Sequence, residues 1–318
     1  MWTRTVLQPP RVSGLRPPAS CLRAVLLITF FSALLGCREA DKQQGRAEAA
    51  PPIVATTLFP IGDITAAIAG PAAEVTVILP AGASPTTFEP PPALVRRLAE
   101  ARLVIAVGAG VDAWAGDLAS ASGAQLLSLT EGLPLKEAGP DGEGGNPHVW
   151  LDPIRVRDDL LPRITEALVR IAPASEAEIR ERSARYRDSL TALDQELRAT
   201  LSSLESRVFV ATHAAWPYFA ERYDVRQLGT LYPAPGRELS PRELAALVDR
   251  ARESGVRAVF TEPQLGEQGA RALAEELEAS VGMLDPLGGP LLPGRDSYFA
   301  LLRYNAHQFA QVLGGRRG

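Results

Sequence analysis

The stretch Ser175–Ser203 contains neither glycine nor proline, and Ile179, Tyr186, Leu190, Leu193, Leu197 and Leu201 recur along it at three-to-four spacing with charges elsewhere. That is the pattern of one amphipathic helix. At 1.5 Å per residue it would reach about 40 Å, enough to brace two lobes against each other. Any fold for this chain has to accommodate such a rod in its middle.

On both sides of the rod, short β-branched or apolar runs alternate with amphipathic stretches. Before it come Ile53–Thr57, Val75–Leu79 and Leu103–Val107, with a helix over Leu94–Ala101. After it come Val208–Ala211, Ala258–Thr261 and Val281–Leu284, with helices near 214–223, 241–254, 267–279 and 297–313. Ser240-Pro241-Arg242-Glu243 has the N-cap, N1 proline and N3 acid of a well-formed helix start. The βα rhythm predicts an α/β protein with two lobes, each a mostly parallel sheet flanked by helices and each with its own core, joined by one long rigid backbone helix. The boundaries fall at 53–173 for the first lobe, 174–205 for the linking helix and 206–318 for the second lobe.

The N-terminal region reads as processing, not fold. Residues 1–36 hold Arg4, Arg11, Arg16 and Arg23, no acid, and the apolar run Ala24–Leu35. That run is too short for a membrane span, which needs about 20 residues, but suits a secretory signal. It ends in Leu34-Leu35-Gly36-Cys37, which resembles the bacterial lipobox, so Cys37 is the expected lipidation site. Residues 37–52 are polar and Ala/Pro-rich, the composition of a flexible tether. With Cys21 removed and Cys37 lipidated, no disulfide can form despite an exported location. Removing the four arginines takes the formal charge from −4 to −8, which argues against nucleic acid as a partner. The expected location is the outer face of a bacterial membrane, held by lipid alone, and the expected state is a monomer.

Few residues can carry chemistry. The chain has three histidines. His148 is confined in Asn146-Pro147-His148-Val149-Trp150-Leu151-Asp152-Pro153, and His213 and Asp285 both fall where a strand-like run gives way, the place where open α/β sheets hold ligands. Two imidazoles and a carboxylate suit a borderline metal such as Zn²⁺ or Mn²⁺. Taken singly, Asp285 reads as a turn former or helix cap sooner than as a ligand, and His213 equally as a satisfied buried histidine and as a ligand. Asp152 is an N-cap before Pro153; Trp150, Trp216 and Tyr218 read as wall and core; His307 lies on a terminal amphipathic helix, where it faces solvent or packs. The Gly-rich stretch Gly139–Asn146 reads as a mobile loop.

As a set, Asn146–Pro153, Thr212–Phe219, Glu262-Pro263-Gln264, Leu284–Gly288 and Tyr298 with Asn305 resemble the zinc- and manganese-binding solute receptors of bacterial ABC importers, from about Ile53 to the C-terminus. The resemblance implies two α/β lobes on one backbone helix, one divalent metal ion between them, and delivery to an ABC permease driven by its ATPase. It places metal ligands on His148, His213 and Asp285. Where the family has its first histidine, in a Pro-His segment, this chain reads Pro85-Thr86-Thr87-Phe88-Glu89-Pro90. A threonine hydroxyl is a poor ligand beside imidazole, so the fourth position falls to Thr86, Glu89, Glu262 or water. The expected cargo is zinc ahead of Mn²⁺ or Fe²⁺, by affinity order. Two alternatives stand beside this. One is a receptor whose binding is weakened or changed by Thr86. The other is a zinc hydrolase with an open coordination position, which the absence of HExxH, GxSxG or a nucleophile-base pair disfavours, so no enzyme is expected.

Overall fold

The structure, a computed structural model, describes residues 50–137, 145–234 and 236–314. The expected export signal, Cys37 and nearly all of the tether lie outside the described residues, as do residues 139–144 of the Gly-rich loop. Two four-stranded sheets are present, and every pairing in both is parallel. The first has the order β2-β1-β3-β4, from β1 (Ile53–Thr56), β2 (Glu74–Val77), β3 (Ala101–Ala106) and β4 (Gln125–Ser128). Its helices are α1 (Phe59–Ala69), α2 (Pro92–Arg97), α3 (Ala115–Ser122) and, after the His148 segment, α4 (Pro153–Arg155), which runs through a π-helical turn at Val156–Leu160 into α5 (Leu161–Ile171).

The glycine-free stretch is α6 (Glu176–Thr200), followed by β5 (Val208–Ala211), α7 (Pro217–Arg222), β6 (Arg226–Thr230), α8 (Pro241–Glu253), β7 (Ala258–Thr261), α9 (Gln268–Glu276), β8 (Ser280–Met283) and α10 (Tyr298–Leu313). The second sheet repeats the first, with the order β6-β5-β7-β8. Two strands, β4 and β6, escape the sequence pattern because neither alternates or is well buried. Gln125 and Leu126 of β4 are exposed, and β6 carries Gly229. Both are edge strands, where half the usual burial suffices.

Side chains alternate cleanly across the inner strands. On one face Val54, Leu103, Ile105, Phe209, Ala211 and Phe260 join a single apolar core that also takes in Ile179, Leu190, Leu193 and Leu197 of α6. On the opposite faces Ala55 and Val104 pack with Leu94, Leu98 and Leu118, while Val210 and Val259 pack with Leu247 and Leu273. The expectation of one core per lobe is therefore met only on the outer faces. The inner faces share a core, because α6 packs against α1 and α5 from one half and α10 from the other. Polar contacts reinforce it: Asp194 of α6 accepts two bonds of 2.8 Å from Arg222 of α7 and one from Arg198. Burial pushes the Asp194 carboxyl up, but the two guanidiniums hold it below the usual carboxylate range.

Both predicted helix starts are present. Ser240 and Glu243 form a reciprocal capping box, and Asp152 accepts from the backbone N–H groups of Ile154 and Arg155. Replacing Ser240 by alanine is expected to cost about 1 kcal/mol, whereas Leu190→Ala in the shared core is expected to cost about 2–5 kcal/mol. Urea unfolding of each variant measures both. A Leu190→Ala loss no larger than that of Ser240→Ala would refute a core common to the two halves.

Candidate metal centre

The C-terminal ends of β2, β3, β5, β7 and β8 open toward one cavity of about 640 Å³. His213 leaves the end of β5, where Thr212 is tied to β7 by its N–H bond to the Phe260 carbonyl. The His213 carbonyl accepts from Gln227 at 2.9 Å, which fixes the backbone from which the ring projects. His148 arrives from the other half on a short turn. Asn146 holds it: its Oδ1 accepts from the His148 backbone N–H at 3.0 Å and lies 2.9 Å from Nδ1. The Asn146 amide is oriented by its own Nδ2, which donates to the Ala214 carbonyl at 2.7 Å.

These contacts settle the protonation of His148. An amide oxygen only accepts, so Nδ1 carries the hydrogen and Nε2 presents its lone pair. Burial, then the nearby His213, drives the His148 pKa well below the ordinary histidine value and keeps the ring neutral. Its Nε2 stands 3.3 Å from Nε2 of His213. At His213 burial opposes the charge, but the adjacent Glu262 carboxylate outweighs it and the pKa is raised. Glu262 Oε2 pairs with His213 Nδ1 at 2.5 Å, while Oε1 accepts from Trp216 at 3.1 Å. The carboxylate is fully buried, so its charge acts on the imidazole with little screening.

The distance between the imidazoles is chemically informative. Two Zn–N bonds of 2.0–2.1 Å at the tetrahedral angle place their nitrogens about 3.3 Å apart. The pair is thus spaced as an edge of a zinc tetrahedron.

The third expected ligand stands differently. Asp285 is fully buried and is not among the residues lining the cavity. Its Oδ1 accepts from the N–H groups of Leu287 and Gly288, both at 3.0 Å, and from Gln264 Nε2 at 3.3 Å. Its Oδ2 pairs with Arg295 at 2.9 Å, and Asn305 brackets its backbone from both sides. Arg295 in turn lies over the Tyr304 ring. Among the described residues no three His, Cys, Asp or Glu side chains are grouped to hold a metal.

Thr86 and Glu262 line the cavity; Glu89 is exposed and does not. The Thr86 hydroxyl is 3.1 Å from that of Ser84. Trp150, Trp216 and Tyr218 are buried as wall and core, and His307 is exposed. Asn146, read from sequence as the end of a mobile loop, is buried and holds His148. Its position two residues before the histidine was the available signal. Arg295 had none, because nothing near it in sequence marks it as the partner of Asp285.

Asn146→Ala is expected to leave a folded protein that holds zinc about 10- to 100-fold more weakly, since the His148 ring loses its orienting acceptor. Zinc titration with a parallel thermal melt checks it. Asp285→Ala is expected to cost about 3 kcal/mol of stability, because the partly buried Arg295 loses the fully buried carboxylate that balances its charge. A loss under about 1 kcal/mol in urea would show that the pair is not structural.

Comparison with known proteins places the chain. Residues 54–312 match the family model described as "Zinc-uptake complex component A periplasmic". The zinc-binding protein AdcA of Streptococcus pyogenes is 25% identical over 311 residues, covering 89% of this chain and 60% of AdcA. The high-affinity zinc uptake system protein ZnuA of Bacillus subtilis is 26% identical over 251 residues, covering 74% of this chain and 78% of ZnuA. The chain therefore spans only about 60% of the length of the AdcA relatives. Among solved structures, a zinc-bound ZnuA deletion mutant superposes with a TM-score of 0.74 at 28% identity, over 84% of this chain and 99% of that one. The laminin-binding adhesin Lmb of Streptococcus agalactiae gives 0.73 at 26% identity, over 82% and 98%. These relatives are binding and uptake proteins and not enzymes. With the match running from β1 into α10, the chain belongs to the family of periplasmic zinc-uptake components.

Proposed function

We propose that this chain is an extracytoplasmic receptor that captures one divalent transition metal ion, zinc ahead of manganese, on His148 and His213 and passes it to an ABC permease and its ATPase. The observation that carries the reading is the 3.3 Å separation of the two Nε2 atoms inside a cavity between the two sheets. Zinc is favoured over manganese because the donors facing each other are imidazoles, and because affinity order favours zinc. Glu262, the nearest carboxylate, is committed to His213 and Trp216 and does not supply the oxygen-rich surround that manganese prefers.

Asp285 is the third ligand of this reading. Its charge is already matched by Arg295, so its recruitment requires the guanidinium to give way to the metal. The histidines are therefore expected to dominate affinity. In the same reading the chain is exported and held at the membrane by lipid on Cys37; among the described residues no helix is long and apolar enough to cross a membrane.

The metal-free protein is expected to take up one Zn²⁺ per chain. His148→Ala and His213→Ala are each expected to weaken it by at least about 100-fold, since each removes one of two directly facing donors. Elemental analysis after gel filtration reads the stoichiometry, and competition with a fluorescent chelator reads the affinity. A wild-type protein that emerges metal-free after exposure to both Zn²⁺ and Mn²⁺ would overturn the proposal.

A further inference from the structure

We infer that Arg295 sets the affinity of this site by competing with the metal for Asp285: guanidinium and metal are alternative partners of one carboxylate, and the exchange between them keeps capture reversible. The inference rests on the receptor reading above and names the residue that regulates it.

The carboxylate stands beside the cavity without opening onto it. Asp285 is fully buried, and its neighbours Gln264, Pro286 and Leu287 all line the cavity. Its Oδ1 is taken by the N–H groups of Leu287 and Gly288 and by Gln264 Nε2. Its Oδ2 accepts from Arg295 Nη1 at 2.9 Å. The oxygen left for a metal is therefore the one that Arg295 holds. A dication and a guanidinium on that oxygen would set two cations against one carboxylate in a buried place, where screening is weak, so each excludes the other.

Arg295 is placed to hold and to let go. Its backbone N–H donates to the Leu292 carbonyl at 2.9 Å and its carbonyl accepts from the Gly289 N–H at 3.1 Å, which closes the turn that presents the side chain. The hold on Asp285 runs through Nη1, while Nε is buried and has no partner. The strongest arginine–carboxylate pairs use two parallel bonds, so this one is displaceable. The displaced charge also has a place to stay. The Arg295 side chain keeps 17% of its surface in solvent and lies 4.9 Å from the centroid of the Tyr304 ring, whose face favours a cation.

Affinity and stability are thereby set in opposition. Arg295 stabilises the metal-free protein by matching a buried charge, and through the same contact it weakens metal binding. Loss of a residue that only supported the fold would weaken both.

The experiment compares metal-free wild type with Arg295→Gln and with Arg295→Met, which keeps an apolar stem over the Tyr304 ring. Zn²⁺ affinity is read by competition with a fluorescent chelator and metal-free stability by thermal melt. Both variants are expected to melt below wild type without metal, yet to bind zinc at least about tenfold more tightly. For a variant that melts too low to titrate, the rise in melting temperature on adding zinc gives the same comparison. Arg295→Lys keeps the charge and is expected to stay closer to wild type than Arg295→Gln does. Adding Asp285→Asn to Arg295→Gln is expected to remove the gain. Zinc affinity at or below wild type in both neutral variants, a lysine variant as tight as the glutamine one, or a gain that survives Asp285→Asn overturns the inference and leaves the receptor reading standing. A wild-type protein that takes up no zinc overturns the receptor reading itself.

Discussion

The site depends on a contact made far from it in sequence. Trp150, two residues beyond His148, is fully buried, and its indole N–H donates to the Pro286 carbonyl at 2.7 Å. Its own carbonyl accepts from the Tyr298 hydroxyl at 2.7 Å, and the Tyr298 backbone N–H bonds Asp63 of α1. The segment carrying His148 is thus fastened to the turn that carries Asp285 and to the start of α10. Without that fastening His148 belongs to one half and His213 to the other. With it, the two imidazoles meet across a shared core whose packing α6 enforces from behind. Close-packed interiors transmit such constraints with little slack.

Within the site two residues of the same type are placed in opposite electrostatic situations. His148 is held neutral by burial and by an amide that can only accept from it. At His213 burial opposes the charge, but the Glu262 carboxylate, which also anchors Trp216, outweighs it and raises the pKa. Farther back, Arg295 does for Asp285 what a metal would do, and with hydrogen bonds from the Leu287–Gly288 turn it makes that carboxylate part of the fold.

Much of the architecture was legible because it rests on local patterns. The absence of helix breakers between Ser175 and Ser203 dictated α6, and Ser240-Pro241-Arg242-Glu243 and Asp152-Pro153 dictated helix starts whose capping bonds are all present. Strands β4 and β6 were not legible, since an edge strand needs only partial burial and carries a weak alternation. Asn146 was misread as loop because its neighbours are glycines, although bonds to Ala214 and Tyr218 anchor it and its Oδ1 orients His148.

The sequence by itself determined the element types, the central helix, the family and the pair of histidines, because each is written in residues close together along the chain. Only the tertiary structure decided that the halves share a core, that Asp285 faces Arg295, and that a large apolar cavity surrounds the imidazoles. Those three outcomes depend on which side chains meet after folding, over separations of ten to well over a hundred residues, and no local pattern encodes such meetings.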